Sequence, residues 1–192
     1  MVLPCLPCGP LMVDDLWSRE HFLSKRADLL PEILCLKAQR RLPIGPHATV
    51  LFESKILIWW QIQEMLRIES GAHPEEELMV YRCLMPTDRC LSMSLFLEFP
   101  EPEERRDKLI LLAGLQDHVF FRFGPYTVPA RSDHAFSEKA SAVNFQKICF
   151  TPDQKDLFCR SFVHSTLSIE HPVYTHSGTL SKDLWMQLVL DM

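Results

Sequence analysis

Residues 42–69, LPIGPHATVLFESKILIWWQIQEMLRIE, constrain this chain more than any other stretch. Gly45-Pro46 breaks the chain, and His47 to Glu53 follows with the β-branched and aromatic content of a strand. At a period of two, His47, Thr49, Leu51 and Glu53 share one face, and Ala48, Val50 and Phe52 share the other. His47 and Glu53 are roughly 20 Å apart at about 3.3 Å per residue, so they join one small site only if the strand bends or ends early. Ser54 stands where a helix cap is wanted, and the spacing predicts a helix to about Glu69.

On that helix Ile58, Trp59, Ile62, Met65 and Leu66 form one apolar stripe at 100° per residue. Leu57 and Trp60 lie opposite, which predicts a helix covered on both sides. Gln63, Glu64 and Arg67 sit beside Trp60. Spacings of three and four residues let Glu64 and Gln63 reach Arg67. A partly desolvated charge needs a partner. Two readings follow. Glu53, Gln63, Glu64 and Arg67 are either a structural polar network or the lining of a pocket for an anion, a metal or a small ligand, with His47 or His171 as helpers.

The run Gly45-Pro46-His47-x-Thr49-x-Leu51-Phe52-Glu53, followed by Gln61-Ile62-Gln63-Glu64-Met65-Leu66-Arg67-x-Glu69, resembles the signature of a bacterial domain-of-unknown-function family, number 3501. The resemblance extends over roughly residues 12 to 192. It is weaker at Glu77, Leu78, Tyr81, Leu84 and Pro86, where Arg82 and Cys83 replace the family's Asn and Pro. It returns at Ser141, Ala142, Val143 and Phe145, and at His171-Pro172-Val173-Tyr174-Thr175-His176. The resemblance implies relatives encoded beside rubrerythrin-like di-iron proteins and iron–sulfur oxidoreductases.

With 192 residues, 47% apolar and 23% charged, the chain suits one sizeable soluble domain better than two small ones. A net charge of −5 with no long basic cluster argues against a nucleic-acid partner. The longest apolar run, Ile56 to Trp60, is far short of the roughly 20 residues that span a membrane. MVLPCLPCGPLMV carries three prolines and no Lys or Arg, so it does not read as a secretory signal, and a cytoplasmic protein is expected. The seven cysteines are odd in number and scattered, unlike a disulfide framework, so most are expected reduced.

Residues 1–11 read as an extension. Cys5-Leu6-Pro7-Cys8 lacks the preceding strand of a redox C-x-x-C and the second pair of a zinc site. From Asp14, with Asp14 or Asp15 as cap, a helix runs to about Arg40, split by Pro31 and closed by Lys37, Arg40 and Arg41. Further helices are predicted over about 74–84, 102–113, 153–158 and 182–190. Further strands are predicted over 91–99, 119–123, 126–129, 141–150 and 162–170. His171 and His176, with Tyr174 between them, suggest metal ligation. Pro172 marks a turn, in which a histidine more often bonds backbone.

Dinucleotide, P-loop and nucleophile-elbow motifs are absent from the sequence. A Cys–His pair assembled in space is left open. Helices early and strands late give an α+β class: one domain over residues 12–192, a mostly antiparallel sheet with helices on one face. Two functions follow. The first is a non-catalytic accessory protein in a redox or peroxide-defence system, partnering rubrerythrin-like and iron–sulfur proteins as the resemblance implies. The second is a metal- or small-ligand-dependent enzyme with its site at Glu53, Gln63, Glu64, Arg67 and His47. The sequence names no cofactor, and it points to neither a nucleic-acid nor a membrane partner.

Overall fold

The computed structural model describes residues 3–7, 9–69, 71–132 and 139–192. The class is α+β, and every strand pairing among the described residues is antiparallel. Residues 12–192, read from sequence as one domain, divide into two compact units. One comprises Met1–Gln39 and Glu53–Met85, the other Arg40–Phe52 and Pro86–Met192. The 42–69 stretch is therefore shared between them. Its strand belongs to the second unit and its helix to the first.

The first unit is helical. A short 3₁₀ turn, Val13–Asp15, precedes α1 (Arg19–Gln39). Ser18, rather than Asp14 or Asp15, caps α1, its hydroxyl accepting the His21 N–H at 3.2 Å. The helix runs unbroken through Pro31, where the sequence predicts two helices. An interior proline costs about 3 kcal/mol. Leu29 and Ile33, both fully buried, hold the helix on either side of it, and burying such side chains contributes about 1.5–3 kcal/mol each. Helix α2 (Lys55–Ile68) buries Leu57 and Trp60 as well as Ile58, Trp59 and Ile62, so both sides are covered as the stripe predicts. Ser54 precedes it, but its buried hydroxyl finds no partner and does not cap. Helix α3 (Pro74–Arg82) follows. The N-terminal segment is held to this unit: Leu11 is buried, and the Lys55 ammonium donates to the carbonyls of Pro7 and Gly9.

The second unit holds two four-stranded sheets where one was expected. Strands β1 (Arg41–Pro43), β2 (Ala48–Phe52), β3 (Cys90–Leu97) and β6 (Val143–Cys149) form the first, in that order. The second has the order β5 (Tyr126–Pro129), β4 (Val119–Phe123), β7 (Ser165–His171), β8 (Tyr174–Thr179). Helices α4 (Pro102–Leu111), α5 (Pro152–Arg160) and α6 (Lys182–Leu190) complete the unit. Strand β1 lies where the sequence predicts the end of a helix, and β8 where it predicts a turn. Both are edge strands whose pairing partner, not their own composition, makes them strands. The sheets share one core, including Val50, Phe52, Met93, Phe121, Phe123, Phe150 and Phe158. They meet at the Arg131–Lys147 bridge and at Gly178 of β8, where an added Cβ would lie 2.5 Å from the Pro43 carbonyl oxygen of β1.

Cys90 and Cys149 face each other across β3 and β6 and form a disulfide. The sequence expectation of reduced cysteines fails for this pair, because the strand register that opposes them is invisible in their spacing. Cys5, Cys35, Cys83 and Cys159 are free thiols. Cys8 of the C-x-x-C lies outside the described residues. No helix among the described residues is long and apolar enough to cross a membrane.

Candidate functional site

The first sequence-predicted cluster lies in the helical unit. Glu64 of α2 is gripped by Arg26 of α1, whose Nε and Nη2 donate to its two carboxylate oxygens at 2.6 and 3.2 Å. Arg67 Nη2 adds a third bond at 2.9 Å. The Arg26 guanidinium also lies 6.0 Å from the Trp60 ring centre. Burial pushes the Glu64 carboxyl up, but the bonds from Arg26 and Arg67 outweigh it and hold the group below its ordinary value. Gln63 is buried, its amide donating to the Trp17 carbonyl at 3.5 Å. Glu53 is buried just before α2. At about 1.5 Å per residue, Glu53 and Glu64 are roughly 15 Å apart along the helix direction. Of the four, the structure brings Glu64 and Arg67 together. The second arginine on Glu64, Arg26, is one that sequence reading missed: nothing in α1 marks which of its basic residues meets α2.

His47 belongs to the other unit, in a second constellation. Gly45, at φ +73°, turns the chain from β1 into β2. Tyr174 of β8 reaches this turn. Its hydroxyl donates to the Ile44 carbonyl at 2.6 Å and accepts the His47 N–H at 3.1 Å. Burial raises the tyrosine's pKa, opposed by backbone N–H bonds from His47 and Ala48. His176, two residues on and therefore on the same face, packs on Tyr174 with ring centres 4.7 Å apart. It also covers Gly45 so closely that a Cβ there would lie 2.5 Å from its Cγ. The His47 ring lies 4.8 Å from that of Phe99, just beyond β3. The G-P-H and H-P-x-Y-x-H stretches, about 130 residues apart in sequence, thus build one wall.

That wall bounds a cleft of about 200 Å³. Pro46, His47, Val173, Tyr174 and His176 line it together with Phe99 and the α4 end, which brings Lys108, Leu111 and Leu112. The polar groups facing it are two imidazoles, one ammonium and a phenol already committed to backbone. Lys108 is exposed and makes no ion pair among the described residues.

His171 takes no part in this cleft. It is buried at the end of β7, with Nε2 at 3.2 Å from the Ala113 carbonyl and Nδ1 accepting the Val173 N–H at 3.4 Å, so both ring nitrogens serve backbone. His118 packs edge-on against it at 5.2 Å. Among the described residues no three His, Cys, Asp or Glu side chains gather as a metal-ligand set.

A further buried charge was also missed. Arg40, expected to close the first helix with its charge, is fully buried. It bonds the Phe52 carbonyl at 2.9 Å and pairs with Asp191 beyond α6.

A family model described as "Protein of unknown function (DUF3501)" matches residues 10–192. The chain belongs to this family. The match takes in both units and every site residue named above. A solved structure, the crystal structure of a novel protein of unknown function from Burkholderia pseudomallei K96243, is 28% identical with a TM-score of 0.89. The alignment covers 96% of this chain and 100% of that one. No curated protein matches the chain.

Proposed function

We propose that this DUF3501 protein is a small-ligand-binding protein whose site is the cleft between the β1–β2 turn, β8 and α4. One observation carries the reading. The Tyr174 hydroxyl clips the Gly45-Pro46-His47 turn to the β7–β8 hairpin, so that two separate histidine-bearing segments present His47 and His176 to one concave, largely apolar space. Convergent polar groups on an apolar cleft are the usual form of a small-molecule site. The Glu64 cluster is the weaker candidate, since its carboxylate oxygens are taken by Arg26 and Arg67. Thermal-shift screening of a metabolite panel tests the reading. Hits are expected to raise the melting temperature of the wild type, and their effect is expected to shrink in Phe99→Ala and His176→Ala. Hits unaffected by both substitutions would remove the cleft from the account.

A second reading has its own support. An accessory role beside rubrerythrin-like and iron–sulfur proteins fits a chain whose Cys90–Cys149 pair bridges two strands with Cys149 at the surface. In that role the pair cycles between dithiol and disulfide, the partner supplying or accepting the two electrons. Alkylation of cells before lysis, read by mass spectrometry, measures the fraction reduced. A pair that stays oxidised under every growth condition, in a protein that retains no iron–sulfur partner on purification, counts against the role.

A further inference from the structure

We infer that the ligand class of this cleft is a small organic monocarboxylate with a flat or branched apolar body. This rests on the ligand-binding reading above and specifies its chemistry. The polar complement of the cleft is one-sided. Lys108 offers a fixed positive charge without an ion-pair partner among the described residues. His47 and His176 offer imidazole nitrogens. The Tyr174 hydroxyl gives its proton to the Ile44 carbonyl and its lone pair to the His47 N–H. The residues facing the cleft thus bring no carboxylate, and the complementary ligand accepts hydrogen bonds and carries negative charge. That a local cationic group exists in a chain of net charge −5 makes the placement of Lys108 more informative.

The size and valence of the charge follow from the same groups. One permanent cation flanked by two imidazoles neutralises a single negative charge. A dianionic phosphate asks for more: several backbone N–H groups, or an arginine fork. Here the backbone N–H of His47, one of the lining residues, is already spent on Tyr174. The remaining lining is apolar and includes Phe99, Leu111 and Leu112. At about 200 Å³ the cleft suits a small metabolite body.

Titration calorimetry on the full chain tests this with matched pairs: benzoate against benzamide, and isovalerate against isovaleramide, with inorganic phosphate as a third probe. Each acid is expected to bind at least about tenfold more tightly than its amide, the scale of a hydrogen bond to a charged group. Lys108→Met, a change at an exposed helix position, is expected to remove about that factor for the acids and leave the amides unchanged. His176→Gln is expected to weaken the acids in the same direction. Equal binding of acid and amide overturns the monocarboxylate assignment while leaving a ligand cleft. Phosphate binding more tightly than either acid also overturns it, in favour of a phosphorylated ligand. If no probe binds at millimolar concentration and the metabolite panel gives no Phe99-dependent hit, both this inference and the ligand-binding reading fall.

Discussion

At Glu64 one carboxylate meets two guanidiniums on a half-buried helix face. A carboxyl held below its unfolded value adds stability above that value and loses it as the pH falls through the folded one. Glu64→Gln is therefore expected to cost about 2 kcal/mol at neutral pH, by weakening the charged hydrogen bonds to Arg26 and Arg67. It should also flatten the acid limb below the ordinary glutamate value of 4.5. Urea melts at neutral pH and at about pH 3 measure both effects, and a cost unchanged at the lower pH would contradict the ion cluster. Gly45 carries a different kind of constraint. Its left-handed backbone costs a non-glycine residue about 1–3 kcal/mol, and a methyl group there meets His176 and the Tyr174 hydroxyl. Gly45→Ala should destabilise by more than the backbone figure alone and abolish ligand binding at the cleft. Chemical denaturation and calorimetry on the purified variant check this together.

Helix α1 stays continuous because its partners hold it, not because its sequence favours continuity. Leu29 and Ile33 are buried on either side of Pro31, which itself lies at the surface. Pro31→Ala restores a backbone donor without disturbing that packing, and is expected to stabilise the protein by about 1–3 kcal/mol. An unchanged or lowered denaturation midpoint would show that the proline is accommodated without cost. The end of α6 depends on a buried pair instead. Burial raises the Asp191 carboxyl to about 6 even though Arg40 pulls it down, so desolvation outweighs the ion pair. A carboxyl raised on folding takes up a proton more readily in the native state. Its contribution is fully present below the unfolded value of 3.8 and is lost as the pH rises through about 6. The change amounts to about 3 kcal/mol across that window. Asp191→Asn should flatten it, as seen in melting temperatures taken from about pH 4 to pH 7.

In the second unit the Cys90–Cys149 disulfide joins β3 to β6 within the first sheet and closes a loop of 59 residues. By chain entropy such a loop contributes about 4 kcal/mol. Reduction with a thiol reagent should lower the denaturation midpoint accordingly, and Cys149→Ser should match the reduced wild type. Equal midpoints with and without reductant would show that the cross-link leaves the unfolded chain unconstrained. Much at this scale was legible beforehand. Periodicity and breakers located α2, β4, β5 and α6, the antiparallel α+β class, and a central helix covered on both sides. Those features depend on residues within a few positions of each other, where propensity and spacing act directly. Strand order, register and charge partners depend on residues far apart in the chain. The contact between Tyr174 and the His47 turn spans 127 residues, and the opposition of Cys90 to Cys149 hangs on which strands become neighbours. Local sequence therefore determined what each segment would become. Tertiary structure alone decided that Arg26 would hold Glu64 and that two histidine segments would share one cleft, because pairing across a sheet or between helices is set by the packing of the whole core rather than by either partner.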